Sequence, residues 1–393
     1  MIDRQRSSAA VLVAALVLSL GLGSIHAFSV LLEPLEVQIE ASRAEISLAY
    51  SIGLASLTVA VLVGYRLYRT VSASLLPLAA CLLAASGLVV ASLATHPLAL
   101  WLGYGLIFGF ANGVGYGFAL YITNLTFERN RGLAMGSVTA VYAVGASGFA
   151  KVFDHWIVEV GADGALFRLS MTLVLFGAIA SLCLWRSQFD AEISDRSSTM
   201  TDGATSVDRR QLALCWFTYG AGVAAGLMAM GHAAGIVTAV GGTVTDGVKG
   251  AIAITSANAL GGFIAGYLAD RCPPHRLLAG LGVASTLALL LLANVDDVMP
   301  AIASLSVVGF AYGSTIALFP IVTAVIFGPG LYAFAYGRIF TSWGLAGLAA
   351  PWFAGILYGH TDSYTIALSA AALLAALSAG MSLWLAGKPT KVG

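Results

Sequence analysis

The side chains able to do chemistry in this chain are two histidines, a few amides and tyrosines, and a tryptophan. His26 stands in Gly23-Ser-Ile-His-Ala-Phe. An imidazole there can donate to an anionic or polar solute, and it changes charge close to neutral pH. His232, in Gly231-His-Ala-Ala-Gly, reads as its counterpart in the second half, although the small residues around it also suit close helix packing. Asn112 and Tyr116 are four apart, so on a helix they share a face. Tyr312 follows Asn112 by 200 residues. Tyr142, Asn258, Ser342 and Trp343 complete a set suited to binding a solute. The competing role for each is bonding or packing between helices. Tyr50 lies nearer the outer surface and suits an outer gate, and Lys151 lies beside Asp154 and His155. Nothing in the set is catalytic. The sequence has no His-Glu-x-x-His, no nucleophile motif, no paired carboxylates within an apolar run and no phosphate-binding Gly-x-x-x-x-Gly-Lys-Ser/Thr. No enzyme activity and no cofactor are expected. Cys81, Cys183, Cys215 and Cys272 are scattered and form neither a disulfide framework nor a metal site.

These residues sit in apolar runs. The 393 residues are 59% hydrophobic and 10% charged, with a mean hydropathy of +0.89. A soluble domain carries about 25% charged residues, so the chain is an all-α membrane protein with the lipid bilayer as solvent. Its formal net charge is zero, so no basic field points to nucleic acid. A span needs roughly 20 mostly apolar residues. Twelve runs qualify, at about 9–32, 46–68, 73–94, 98–122, 132–153, 165–186, 211–235, 248–269, 276–294, 299–327, 333–357 and 364–386. The first is too long for the apolar core of a signal peptide and is read as a span. With both termini in the cytoplasm, fifteen of the 19 Lys and Arg fall inside, Arg196, Lys388 and Lys391 among them. Arg43, Lys151, Arg168 and Lys249 fall outside. That is the expected bias for an inner (plasma) membrane protein.

The polar stretch 187–210 reads as a cytoplasmic linker between two sets of six spans, at 1–186 and 211–393. The halves repeat. Gly109-Phe-Ala-Asn-Gly matches Gly309-Phe-Ala-Tyr-Gly, and Gly64-Tyr65 with Arg69 matches Gly266-Tyr267 with Arg271. Tyr68 occupies the first-half position of Asp270. A repeat of about 200 residues with six spans per copy predicts two pseudo-symmetric six-helix bundles.

The run from Asn258 to Arg276 ends an apolar, Gly-rich helix in Asp270, Arg271, His275 and Arg276. An Asp at such a helix end can pair with a neighbouring helix terminus. Gly266, Leu268, Ala269, Asp270, Arg271 and Arg276 resemble the loop signature Gly-x-Leu-Ala-Asp-Arg-x-Gly-Arg-Arg of the major facilitator superfamily, with Pro273 or Pro274 where Gly is usual. The resemblance covers essentially the whole chain. It implies the major facilitator fold and secondary transport of a small-molecule solute by alternating access. It assigns Asp270, Arg271, Arg276 and Arg338 to gating at the cytoplasmic side.

Shorter stretches resemble the monocarboxylate and oxalate/formate branch: Phe28-Ser-Val-Leu-Leu-Glu-Pro-Leu, Ser42-Arg-Ala-Glu-Ile-Ser, Arg131-Gly-Leu-Ala-Met-Gly, Gly226-Leu-Met-Ala-Met-Gly-His and Tyr336-Gly-Arg-Ile-Phe-Thr. That branch commonly places an Arg in span eight, where this chain has Gly261-Gly262, and oxalate-type carriers place a Lys where it has Thr341-Ser342-Trp343. Without those anchors a dicarboxylate would bury two uncompensated charges. The expectation is a monomeric carrier of a monocarboxylate-type anion, with protons as the candidate coupling ion. The alternatives are an exporter of neutral or amphipathic compounds and, from another class, a non-transporting receptor or sensor.

Overall fold

The computed structural model describes residues 2–189 and 207–385. Most of the linker expected at 187–210 lies outside those residues, as do Arg196, Lys388 and Lys391. Among the described residues there is no strand, and nine helices are long and apolar enough to cross a membrane. Two of these each hold two spans: Arg131–Arg186 breaks at Gly161, and Val298–Thr361 breaks at Gly328. The shorter helix Leu76–Ser92 is the third span. The described residues therefore form twelve helical spans.

The chain divides into two compact units, Met1–Glu128 with Val141–Ser206, and Arg129–Ala140 with Val207–Gly393. The fifth span is thus shared, its first residues packing with the second unit.

Each unit is built by the same local devices. The second span opens with a capping box in which Ser42 and Glu45 satisfy each other's backbone N–H groups. The eighth span opens 201 residues later with the same box made by Thr243 and Asp246. Such boxes satisfy two of the donors a helix start leaves without partners. Glu40 and Gly241, at φ 54° and 88°, turn the chain into those boxes. Gly161 and Asp362, at φ 77° and 50°, separate spans five from six and eleven from twelve. Both pairs are again 201 apart.

The repeated glycine motif is a packing device. In the first unit Gly109 and Gly113 of the fourth span lie against the backbone of Gly53 and Leu57 in the second span. In the second unit Gly309 and Gly313 of the tenth span lie against Ile254 and Asn258 in the eighth. At all four glycines a Cβ would overlap a backbone carbonyl oxygen. Small residues one turn apart let helix backbones meet where lipid supplies no hydrophobic drive.

Two stretches depart from regular α-helix. The first span tightens to 3-10 over Gly23–Val30, which carries His26. The fourth span is wound as π-helix over Trp101–Phe108. The seventh span ends at Gly231, and a short helix, Ala233–Ala239, follows. His232 is therefore the junction residue, not a mid-span one. By the 201-residue register it corresponds to Leu31, and the expected pairing of His232 with His26 is out of step by five residues. The shared Gly and His letters outweighed the spacing.

Candidate solute-binding site

In the first unit the structure gathers four of the sequence-selected side chains. Asn112 is fully buried; its Nδ2 donates to the Leu22 carbonyl at 2.6 Å, and its Oδ1 accepts from the Tyr142 hydroxyl at 2.8 Å. Tyr116, one turn on, sets its ring 4.8 Å from that of Tyr142. His26 sets its ring 5.5 Å from that of Tyr142, and its Nδ1 lies 2.8 Å from the Tyr50 hydroxyl. The cluster thus joins spans one, two, four and five. The shared face of Asn112 and Tyr116 follows from their spacing. Tyr50 belongs to this group through His26.

Tyr104 was not selected from the sequence. It is fully buried, and its hydroxyl donates to the Ile25 carbonyl at 2.9 Å. Its ring packs on Phe28 at 4.7 Å, and Phe28 stacks on Tyr50 at 5.7 Å. Tyr104 therefore braces the 3-10 turn that carries His26. The available signal was a hydroxyl within the apolar run Trp101-Leu-Gly-Tyr-Gly.

The second unit carries a related but more aromatic arrangement. Trp343 Nε1 donates to the Tyr312 hydroxyl at 3.3 Å, and both side chains are buried. Tyr312 lies 200 residues from Asn112, and Trp343 lies 201 from Tyr142. Each unit therefore holds one hydrogen-bonded pair at the same place in its repeat. The amide-phenol pair of the first unit becomes a phenol-indole pair in the second. Phe340 stacks on Trp343 at 5.0 Å, and Tyr336 stacks on Tyr332 at 5.6 Å. Ser342 turns back to the Ile339 carbonyl and packs beside Gly220. Thr341 accepts from Trp216 Nε1 at 2.8 Å.

The structure does not bring His232 or Asn258 into that pair. His232 Nε2 meets the Pro351 carbonyl at 2.9 Å, and its Nδ1 lies 3.4 Å from the Tyr364 hydroxyl. Asn258 is half-buried against Gly313 of the tenth span.

The residues read as gating all belong to the second unit. Both carboxylate oxygens of Asp270 cap the start of the fifth span: Oδ1 accepts from the Gly132 N–H at 2.7 Å and Oδ2 from the Leu133 N–H at 2.8 Å. Glycines bring the two helices together. A Cβ on Gly266 would stand 2.7 Å from both the Gly132 oxygen and the Gly136 Cα. A carboxylate on the exposed N–H groups of a helix start is favoured by the helix dipole. Arg271 folds back on its own helix, donating to the Tyr267 carbonyl and lying 3.7 Å from the Tyr267 ring centroid. Arg338 does the same over Phe334 at 3.3 Å. Arg276 is exposed.

No protein-family model matches the chain. It is 25% identical over 361 residues to the uncharacterized MFS-type transporter YhjX of Escherichia coli strain K12, covering 88% of this chain and 87% of that one. It is 32% identical over 98 residues to monocarboxylate transporter 9 of Gallus gallus, covering 24% of this chain and 19% of that one. Among solved structures, the proton:xylose symporter XylE superposes with a TM-score of 0.71 at 15% identity, covering 96% of this chain and 95% of that one. The Escherichia coli fucose:proton symporter FucP superposes with a TM-score of 0.66 at 15% identity, covering 95% and 98%.

Proposed function

We propose that the chain is a secondary transporter of the major facilitator superfamily, as its similarity to an MFS-type transporter over 88% of its length supports, and that it carries a small monocarboxylate-type anion together with a proton. One observation carries the reading. Among the described residues no Lys, Arg, Asp or Glu is buried, while His26 lies in a cluster with Tyr50, Tyr142, Asn112 and Tyr116. An anion brought into such a site needs an opposing charge, because an uncompensated charge at membrane depth is expensive. His26 can supply it by taking up a proton. The loaded site is then neutral, and a dicarboxylate is disfavoured. The similarity to monocarboxylate transporter 9 supports the solute class, and the two proton symporters among the structural neighbours support the coupling ion.

In this reading Asn112, Tyr116 and Tyr142 orient the solute from the first unit. Tyr312, Ser342 and Trp343 are the candidate solute-binding side chains of the second unit. His232 and Asn258 act through helix packing. Asp270, with Arg271, Arg276 and Arg338 on the same side, controls access by alternately capping and releasing the fifth span. The carrier works as a monomer in the inner (plasma) membrane with both termini cytoplasmic.

A second reading, export of neutral or amphipathic compounds, is favoured by the aromatic run Tyr332, Tyr336, Phe340 and Trp343. Uptake of short monocarboxylates into proteoliposomes, with and without an inward proton gradient, separates the two. Proton-driven uptake that falls at least tenfold in His26→Ala is the expected result. Absence of monocarboxylate uptake by folded wild-type protein overturns it in favour of export. Absence of any solute flux would leave a receptor or sensor.

A further inference from the structure

An apolar span settles into α-helix because that satisfies its backbone internally. The fourth span departs from it over Trp101–Phe108, where it is wound as π-helix. Such turns are rare and are found frequently at functional sites. This one lies within the first unit and bonds to both elements that meet at His26. Trp101 Nε1 donates to the Glu45 carbonyl at 2.7 Å, at the capped start of the second span, which carries Tyr50. Three residues on, the Tyr104 hydroxyl donates to the Ile25 carbonyl at 2.9 Å, in the 3-10 turn that carries His26. We propose that Trp101 and Tyr104 are positioning residues, and that the π-wound turn holding them sets the contact of His26 with Tyr50. The inference rests on the reading of His26 as the group that takes up the proton.

His26 and Tyr50 belong to different spans, and their 2.8 Å contact depends on how those spans sit. Both bonds from the π turn go to backbone carbonyls, so they fix the helices themselves and not a side-chain rotamer. Phe28 fills the space between, 4.7 Å from the Tyr104 ring and stacked 5.7 Å from that of Tyr50. The turn has little freedom to slide. A Cβ on Gly103 would stand 2.5 Å from the Gly87 oxygen of the third span, and one on Gly105 would stand 2.8 Å from the Ile52 side chain of the second. The fourth span is therefore wedged at backbone distance between spans two and three where it is π-wound. Tyr104 is fully buried, and a hydroxyl stripped of its acceptor there would carry a desolvation penalty, which keeps its bond closed.

The second unit provides the contrast. At the 200-residue register of the fourth and tenth spans, Trp101 and Tyr104 become Ala301 and Ser304, and the tenth span runs through them as α-helix. At the 201-residue register of the first two spans, His26 and Tyr50 become Leu227 and Ala251. The π turn, its two donors and the imidazole-phenol pair occur together in one repeat and are missing together from the other.

Nitrogen NMR of the full chain, labelled at its histidine rings, tests this without transport. The His26 signal is the one lost in His26→Ala, and Tyr50→Phe shifts it by removing the hydroxyl. Tyr104→Phe and Trp101→Phe each remove one bond to a backbone carbonyl and leave His26 and Tyr50 themselves intact. Each should move the His26 signal toward its position in Tyr50→Phe. Tyr68→Phe also removes a hydroxyl-to-carbonyl bond from the first unit, and should leave the signal in place. A signal that stays put in either folded variant, Tyr104→Phe or Trp101→Phe, overturns the proposal. Proton-driven uptake separates it from the reading beneath it. Tyr104→Phe alone is expected to slow uptake severalfold, yet to add no more than about a twofold loss on top of Tyr50→Phe, because contacts that act through one another are not additive. Losses that multiply would make Tyr104 a packing residue and overturn its positioning role. Uptake indifferent to His26→Ala would remove the proton-binding role of His26, while the NMR signal would still decide what Trp101 and Tyr104 hold in place.

Discussion

Asn112 is hydrogen-bonded at both ends of its amide. Its amide nitrogen is committed to the Leu22 carbonyl and its oxygen to the Tyr142 hydroxyl, with no exposure to solvent. Asn112→Ala removes both bonds and leaves a carbonyl and a hydroxyl short of partners inside the unit. Hydrogen bonds between spans contribute about 0.6–2 kcal/mol each, and an unsatisfied buried group costs about 1–3 kcal/mol. We expect a loss of about 2 kcal/mol in a reversible detergent unfolding titration, together with a severalfold loss of uptake. Unchanged stability would mean that Tyr142 and Leu22 find other partners and that Asn112 does not organise the cluster. Asn112, Tyr142, Tyr312 and Trp343 could all be selected from the sequence, because each is a polar side chain in an apolar run. Their pairing could not. It depends on how spans four and five, or ten and eleven, rotate about their axes, and a rotation of one residue (about 100°) changes every partner.

At the scale of the element, the helices follow from hydropathy and their contacts follow from glycine. The twelve apolar runs needed only composition, since a span must satisfy its backbone internally. The winding within a span was hidden. Nothing in Gly23-Ser-Ile-His or Trp101-Leu-Gly-Tyr distinguishes 3-10 or π-helix from α-helix, because neighbouring helices decide it. Gly109 and Gly113, with Gly309 and Gly313, showed as a repeat but not as a contact. The structure supplies the reason: each meets a carbonyl on the helix two spans earlier. Gly113→Ala and Gly313→Ala are therefore expected to be equivalent injuries, one per unit. Each forces a methyl against the backbone, at Leu57 or Asn258, where no flexible side chain can move aside. Overpacking of this kind costs about 1–3 kcal/mol. A thermal shift of similar size in both variants is the expected outcome. A large shift in one and none in the other would contradict the equivalence of the two glycine contacts.

For the molecule as a whole, the repeat is informative where it fails. Tyr68 and Asp270 occupy matching positions, yet they do opposite things. Tyr68 is buried in its own unit; its hydroxyl donates to the Val114 carbonyl at 3.1 Å, with Gly64 and Gly117 making room for the ring. Asp270 reaches out of its helix to the start of the fifth span. The capping carboxylate is therefore present in one repeat only, and any conformational change that moves the first turns of the fifth span must break it. A carboxylate at a partly buried helix start contributes up to about 2 kcal/mol, which is roughly thirtyfold in an equilibrium constant. Asp270→Asn keeps the size and one acceptor but loses the charge and one of the two bonds. If Asp270 holds one state of the transport cycle, the variant should fold in wild-type yield and show initial uptake rates severalfold lower, because the population shift removes the state that must be refilled each turnover. Tyr68→Phe serves as the contrast. It loses a single hydrogen bond inside one unit, about 1 kcal/mol, and should lower the melting temperature slightly while leaving the rate alone. Equal rates in wild type and Asp270→Asn, or an equal fall in Tyr68→Phe, would show that the cap is a packing feature with no part in the cycle.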